Sequence, residues 1–140
     1  MRKKIALVTG GNRGIGFESC RQLARSGFTV LLTARGPING NTAVNKLVND
    51  EGLDVIFYLL DVTNKDHIKN ISRQVEQQYG SLNVLVNNAA ILYDTWQHAI
   101  DVDLEVVNQA IDTNVYGPWR LCQAFIPITK RNGHGRIVNI

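Results

Sequence analysis

The chain has 140 residues, of which 44% are hydrophobic and 19% are charged, a balance typical of globular domains and unlike disordered or fibrous chains. Fifteen basic and twelve acidic residues leave a net charge of only +3, without the dense basic stripe that nucleic-acid binding requires. No apolar run is long enough to cross a membrane. We therefore expect a cytoplasmic domain that binds neither nucleic acid nor membranes.

The first half of the chain alternates short apolar runs with helical patterns. Residues 5–8 form an uninterrupted apolar run, which is typical of a strand buried on both faces. A helix is predicted over residues 15–26 and a second strand over residues 29–33. A second helix is then predicted over residues 43–51, and a third strand over residues 55–60.

The second half continues the same alternation. Thr63 or Asn64 can cap a third helix, and Gly80 ends it. The remaining elements are a fourth strand over residues 84–86, an irregular segment over residues 91–102, a long helix over about 104–130 and a fifth strand over residues 136–140. We expect Pro118 and Pro127 to bend or shorten the long helix.

This order of elements predicts an α/β domain. Strands that alternate with helices form a parallel sheet with helices on both faces and right-handed crossovers. The doubly wound, Rossmann-like arrangement has the strand order 3-2-1-4-5, and its ligand crevice opens where the first and fourth strands diverge.

The cysteines and histidines show no spacing of a metal site. Cys20 and Cys122 lie far apart and resemble small apolar helix residues in a reducing compartment. The three histidines, His67, His98 and His134, share no ligand spacing with one another or with the cysteines. We therefore predict no metal.

The segment TGGNRGIG, residues 9–16, joins the first strand to the first helix. Glycine lets the backbone approach a ligand closely, and the free N–H groups at a helix N-terminus attract phosphate. The alternative is a purely structural turn. The position between a buried strand and a helix favours pyrophosphate binding, and no G-K-[ST] follows that would indicate a P-loop.

Four ordered motifs resemble the short-chain dehydrogenase/reductase family, and the resemblance covers all 140 residues. They are Gly10-x-x-x-Gly14-x-Gly16, Asp61-Val62 after the third strand, Asn87-Asn88-Ala89-Ala90 after the fourth strand and Asn114 in the long helix. Ala90 departs from the family's usual glycine. Within the family the sequence is most similar in character to the carbonyl reductases.

The resemblance implies a set of cofactor-binding residues. They are Gly10, Asn12, Arg13, Gly14, Ile15, Gly16, Arg35, Asp61, Val62, Asn88 and Ala89. It also implies that Asn114 bends its helix and holds a water that relays protons to a catalytic lysine. Considered alone, an asparagine in a helix would usually face solvent.

The dinucleotide is predicted from the end of the second strand. NAD-binding folds place a carboxylate there to bind the ribose hydroxyls, but this stretch reads Leu-Thr-Ala-Arg and ends in Arg35. Arg35 can hold a 2′-phosphate bidentately, and Arg13 in the glycine loop adds a second positive charge. The alternative is that both are solvated surface charges. We predict NADP, with NADPH preferred over NADH.

The family's catalytic serine and Tyr-x-x-x-Lys motif follow the fifth strand, and the 140 residues contain neither at a matching position. We therefore expect a dinucleotide-binding domain that is incomplete after its fifth strand and has little or no turnover alone. The function implied is NADP-dependent oxidoreduction of a small carbonyl or alcohol.

The alternatives are a non-catalytic NADP(H)-binding module, an inactive truncated family member or a product of gene decay. A fifth strand at the sheet edge would expose unpaired N–H and C=O groups, and the long helix would lack a neighbour over its apolar face. We therefore expect that the chain can self-associate through that strand or through the long helix.

Overall fold

The computed structural model describes residues 3–93 and 95–140. The strands and helices follow in the order β1 (Lys4–Val8), α1 (Gly14–Arg25), β2 (Phe28–Ala34), α2 (Pro37–Asn45), β3 (Val55–Leu59), α3 (Lys65–Tyr79), β4 (Val84–Asn87), α4 (Leu104–Ile111), α5 (Gly117–Lys130) and β5 (Arg136–Asn139). A π-helical turn, Lys46–Asp50, continues α2, and a second one, Asp112–Tyr116, joins α4 to α5.

The five strands form one parallel sheet in the order β3-β2-β1-β4-β5, which confirms the predicted topology. Successive side chains of a strand point to opposite faces. Ile5 and Leu7 of β1 therefore join a hydrophobic cluster with α3 and α5, whereas Ala6 and Val8 join a second cluster with α1 and α2. Helices therefore cover both faces of β1, the central strand of the sheet.

The ends of two helices follow the sequence closely. Asn64 caps α3, because its side-chain oxygen accepts hydrogen bonds from the backbone N–H groups of Asp66 and His67. Gly80 ends the same helix at φ +73°, and Gly27 follows α1 at φ +88°. Glycine accommodates these left-handed conformations without strain.

The predicted second helix began too late. In the structure α2 begins at Pro37, six residues before the predicted start at residue 43. Proline suits the first turn of a helix because its missing N–H would have no partner there. Gly40 obscured this helix in the sequence, but it is needed, since a Cβ at Gly40 would lie 2.0 Å from Cε2 of Phe57.

The long helix predicted over about residues 104–130 is divided into α4, the second π-helical turn and α5. Pro118 lies in the first turn of α5, and α5 continues past Pro127 to Lys130, so neither proline ends a helix. The irregularity is the π-helical turn around Asn114. A π-helical turn inserts an extra residue into the helix and often marks a functional site.

Two further properties of the described part of the chain bear on function. Across residues 3–93 and 95–140, every helix is too short or too polar to cross a bilayer, and no three potential metal ligands come together.

Cys20 and Cys122 are both free. Burial raises the pKa of the Cys20 thiol to about 12, so this cysteine is an inert core residue.

Candidate functional site

A cleft of about 1180 Å³ opens at the carboxyl ends of the central strands. Its walls are the glycine loop after β1, the end of β2, one face of α2 and the segment after β4. Small-molecule pockets usually measure about 300–1,000 Å³, so this cleft can hold a ligand as large as a dinucleotide. Nine predicted cofactor residues line it: Gly10, Asn12, Arg13, Gly14, Ile15, Arg35, Val62, Asn88 and Ala89.

The glycine loop leaves the N-terminus of α1 open toward the cleft. Gly10 and Gly14 have positive φ angles of 61° and 57°, and Arg13 at the N-cap makes no side-chain capping bond. A Cβ placed on Gly14 would meet no atom within 4 Å. Uncapped N–H groups at a 12-residue helix, facing open space, fit the phosphate groups of a dinucleotide.

Gly16 does not line the cleft and instead supports the loop from beneath. A Cβ at this position would lie 2.4 Å from the side-chain nitrogen of Asn88 and 2.4 Å from the carbonyl oxygen of Gly10. The third glycine of the motif therefore allows α1 to pack closely against the loop, and its role in cofactor binding remains a prediction.

Thr9, which is not among the predicted site residues, joins the glycine loop to the segment after β4. Its hydroxyl oxygen is 2.9 Å from the backbone nitrogen of Asn88 and 2.9 Å from that of Ala89, and it accepts both hydrogen bonds. The Asn88 side chain donates in return to the carbonyl oxygens of Thr9 and Gly10 at 3.0 and 3.1 Å. These four bonds hold the floor of the cleft. The only signal in the sequence was a polar residue at the end of a buried strand.

Three cations line the cleft: Arg13, Arg35 and Lys46. No aspartate or glutamate is among its described lining residues. The Arg35 guanidinium donates a hydrogen bond to the Tyr93 hydroxyl, which raises the pKa of Arg35, and the charge of Asp61 adds a smaller effect. The cleft is therefore strongly electropositive, as an anionic ligand requires.

The structure separates the two members of the Asp61-Val62 pair. Val62 is buried and lines the cleft. The Asp61 carboxylate accepts hydrogen bonds from the backbone N–H and the hydroxyl of Thr63, at 2.9 and 2.7 Å. The Asp61 backbone N–H donates to Nδ1 of His67. Asp61 thus stabilises the turn before α3, and its contact with the cofactor remains a prediction.

Asn114 projects from the π-helical turn toward the segment after β4. Its side-chain oxygen accepts from the Ile91 backbone N–H at 2.8 Å, and its side-chain nitrogen donates to the Ile91 carbonyl oxygen at 2.9 Å. Asn114 is nevertheless exposed, which the alternative of a solvent-facing asparagine also predicts. The side chain ties the helix to the cleft wall, and its role in a proton relay remains a prediction.

A second cavity, of about 460 Å³, lies between β4, β5 and α5 and shares Ala89 and Ala90 with the cleft. Asn87 lines it and is almost fully buried, at 4% exposure. The Asn87 side-chain nitrogen donates to the side-chain oxygen of Asn139 at 2.9 Å, which couples β4 to β5. Its own side-chain oxygen has no partner among the described residues.

The sequence matches known proteins along nearly its whole length. Residues 4–140 match the family model described as short chain dehydrogenase. The (+)-neomenthol dehydrogenase of Arabidopsis thaliana is 39% identical over 158 residues, which cover 98% of this chain and 53% of that protein. Carbonyl reductase (NADPH) 3 of Homo sapiens is 40% identical over 138 residues, which cover 98% of this chain and 48% of that protein. The chain spans about half the length of the curated relatives that it matches.

Solved structures share the same fold. A metagenomic short-chain oxidoreductase in complex with NADP superposes with a TM-score of 0.89 at 29% identity, over 97% of this chain and 61% of that one. Salutaridine reductase from Papaver somniferum superposes with a TM-score of 0.86 at 29% identity. The superposition covers 98% of this chain and 56% of that one.

Proposed function

The chain belongs to the short-chain dehydrogenase family, and from this premise we propose that it binds NADP(H), with NADPH preferred over NADH. We further propose that the whole protein is an NADP-dependent oxidoreductase acting on a small carbonyl or alcohol substrate. One observation carries the cofactor proposal: a cleft at an uncapped helix N-terminus holds three cations and no described carboxylate. The two free cysteines of the chain agree with a reducing compartment. We therefore propose that the protein is cytoplasmic.

In this proposal each part of the cleft holds a different part of the cofactor. The N–H groups at the start of α1 bind the pyrophosphate, and Arg13 and Arg35 bind the 2′-phosphate through charge-assisted hydrogen bonds. Val62 provides an apolar wall for the adenine. The nicotinamide supplies the hydride donor or acceptor when bound, and the chain's own residues orient it at the edge shared with the second cavity.

We propose that these 140 residues do not supply the proton donor of the reaction. Carbonyl reduction needs a positioned acid beside the substrate oxygen. The four tyrosines, Tyr58, Tyr79, Tyr93 and Tyr116, are followed four residues later by Val, Asn, Gln and Arg, never by Lys. This observation favours a second candidate function for the 140-residue chain by itself, a non-catalytic NADP(H)-binding module.

We expect the 140-residue protein to bind NADPH with a Kd on the order of micromolar or tighter and to bind NADH at least about tenfold more weakly. Isothermal titration with both nucleotides measures this directly. The same protein, mixed with NADPH and a panel of carbonyl compounds, should oxidise no measurable NADPH.

Equal affinity for NADPH and NADH would contradict the NADP proposal. NADPH oxidation by protein whose measured mass is that of the 140-residue chain would contradict the hypothesis of a non-catalytic module.

We also propose that this chain self-associates through β5 or the long helix. All four residues of β5 are exposed, and this strand forms one edge of the sheet. On the helix, Val115 is 50% exposed and Trp119 is 61% exposed. Exposed strand edges and apolar helix faces both favour association with another copy.

We therefore expect sedimentation velocity to show an apparent mass that rises with protein concentration. Trp119→Glu should abolish the rise if the helix face is the contact, and Val138→Lys should abolish it if β5 is. Gln77→Glu, at an exposed position of α3, adds charge elsewhere and should have no effect. A monomer at every concentration would refute self-association.

A further inference from the structure

The π-helical turn Asp112–Tyr116 contributes to both cavities. Thr113, its second residue, is buried and lines the cleft, whereas Asn114, the next residue, lines the second cavity. Asn114 also holds Ile91 through two hydrogen bonds of 2.8 and 2.9 Å. Ile91 lines the cleft and directly follows the two alanines that the cavities share. The shape of this turn therefore sets the position of the wall between the cleft and the second cavity.

Arg120 contacts both ends of this turn. Its Nη2 donates to Oδ1 of Asp112, the first residue of the turn, at 2.6 Å, and its Nη1 donates to the Asp112 carbonyl oxygen at 3.4 Å. Its guanidinium carbon lies 5.8 Å from the centroid of the ring of Tyr116, the last residue of the turn, which is within the range of a cation–π contact. Because eight residues of a regular α-helix span about 12 Å, this pair reaches further than the usual contact between adjacent helical turns.

The contacts of Arg120 supplement the backbone hydrogen bonding of the turn. The Gly117 N–H donates to the Asp112 carbonyl oxygen, which is the i→i−5 bond of a π-helix. The next residue, Pro118, has no N–H to donate to a carbonyl oxygen of the turn. The Arg120 guanidinium adds a second donor to the Asp112 carbonyl, and the ion pair fixes the side chain of the same residue. With Arg120 23% exposed and Asp112 41% exposed, solvent screens this ion pair only in part.

We propose that Asp112 and Arg120 are positioning residues, whose pairing holds the π-helical turn in the shape that lets Asn114 fix Ile91 in the wall between the two cavities. This inference rests on the proposed function and concerns the end of the cleft at which the nicotinamide is proposed to lie. The pair acts only through Asn114. A loosened turn should weaken the binding of NADPH and of NADH by the same factor, because the nicotinamide is common to both. It should leave the adenosine end nearly unaffected.

The opposite charges of the pair separate positioning from direct electrostatics. Arg120→Gln removes a positive charge and Asp112→Asn removes a negative one, but each breaks the ion pair. A direct effect of charge on an anionic dinucleotide would change the affinity in opposite directions, whereas positioning predicts a loss in both variants. At about 0.15 M ionic strength, where charges are screened beyond about 8 Å, isothermal titration should show about 2- to 5-fold weaker binding of NADPH and of NADH in both variants. Binding of adenosine 2′,5′-bisphosphate should change by less than about 1.5-fold.

Three further variants control for charge, chemistry and route. Arg131 directly follows α5 and pairs with Glu76 of α3 at 2.5 Å, so Arg131→Gln also loses one arginine and one ion pair but leaves the π-helical turn intact. It should change no affinity. Arg120→Lys should recover part of the wild-type affinity, because lysine keeps the charge without the planar fork. In an Asn114→Ala background, Arg120→Gln should have no additional effect, since two residues that act through one contact are not additive.

Hydrogen exchange of the Ile91 amide, followed by NMR, tests the positioning without any cofactor. The Asn114 side-chain oxygen accepts this N–H, so a loosened turn should expose it to exchange. We expect exchange at Ile91 to be at least about threefold faster in Arg120→Gln and in Asp112→Asn than in the wild type. Arg131→Gln should leave the rate unchanged, because an ion pair far from the turn affects only the general stability of the chain.

The outcomes separate this inference from the proposed function. If the wild type binds neither NADPH nor NADH, the proposed function fails and this inference fails with it. If the wild type binds NADPH and both variants keep its affinity or its rate of exchange at Ile91, the positioning role of the pair fails alone. Opposite changes of affinity in Arg120→Gln and Asp112→Asn would also overturn it, because they would indicate a direct effect of charge. An equal loss for the bisphosphate would overturn it as well, because it would indicate a distorted cleft.

Discussion

Replacing Arg35 by aspartate should weaken NADPH binding by about 100-fold, which corresponds to about 2.7 kcal/mol. The substitution removes charge-assisted hydrogen bonds to the 2′-phosphate and places a like charge against it. NADH binding should stay equal or improve, since a carboxylate at the end of the second strand can accept hydrogen bonds from the ribose hydroxyls. Titration of the variant with both nucleotides gives the two affinities.

Two controls isolate the geometry of Arg35 from its charge. Arg35→Lys keeps the charge but loses the planar fork, so we expect an intermediate loss of about 5- to 10-fold for NADPH. Arg73→Asp makes the same change of charge at an exposed position on α3 and should alter neither affinity. An Arg35→Asp variant that retained wild-type NADPH affinity would place the 2′-phosphate elsewhere and remove the basis of the NADP proposal.

Replacing Thr9 by valine should lower the free energy of unfolding by about 2–4 kcal/mol. Valine has nearly the same shape as threonine, but it leaves the backbone N–H groups of Asn88 and Ala89 without an acceptor. Thr9 is only 2% exposed, so water cannot easily replace the hydroxyl. Since domains of this size are stable by only about 5–15 kcal/mol, the loss is large. Urea denaturation followed by circular dichroism measures it.

Thr9→Ser is the matched control because it keeps the hydroxyl and removes one methyl group. We expect it to recover most of the stability, with a remaining loss of about 1 kcal/mol or less. NADPH affinity should follow the same order, because the Thr9 network holds the glycine loop against Asn88. Equal stability of Thr9→Val and wild type would show that these hydrogen bonds contribute little.

The sequence was most informative where a local signal coincided with a tertiary requirement. The apolar run at residues 5–8 predicted a doubly buried strand because both faces of β1 are in fact covered. Asn64 and Gly80 predicted the ends of α3 because capping depends on atoms within a few residues. The start of α2 was missed because its first turns contain Pro37 and Gly40 in place of an apolar repeat.

Composition and pattern alone therefore determined the α/β class, the strand order and the candidate cofactor loop of this protein. These features depend on residue types and spacings, which a single sequence displays. Only the tertiary structure decided which side chains share the cleft. Lys46 lines the cleft, Thr9 accepts a hydrogen bond from the Asn88 backbone, and the Asp61 carboxylate accepts one from the Thr63 backbone. Such contacts join segments from different strands and helices, and their partners are selected by how the sheet and helices pack, which no local pattern encodes.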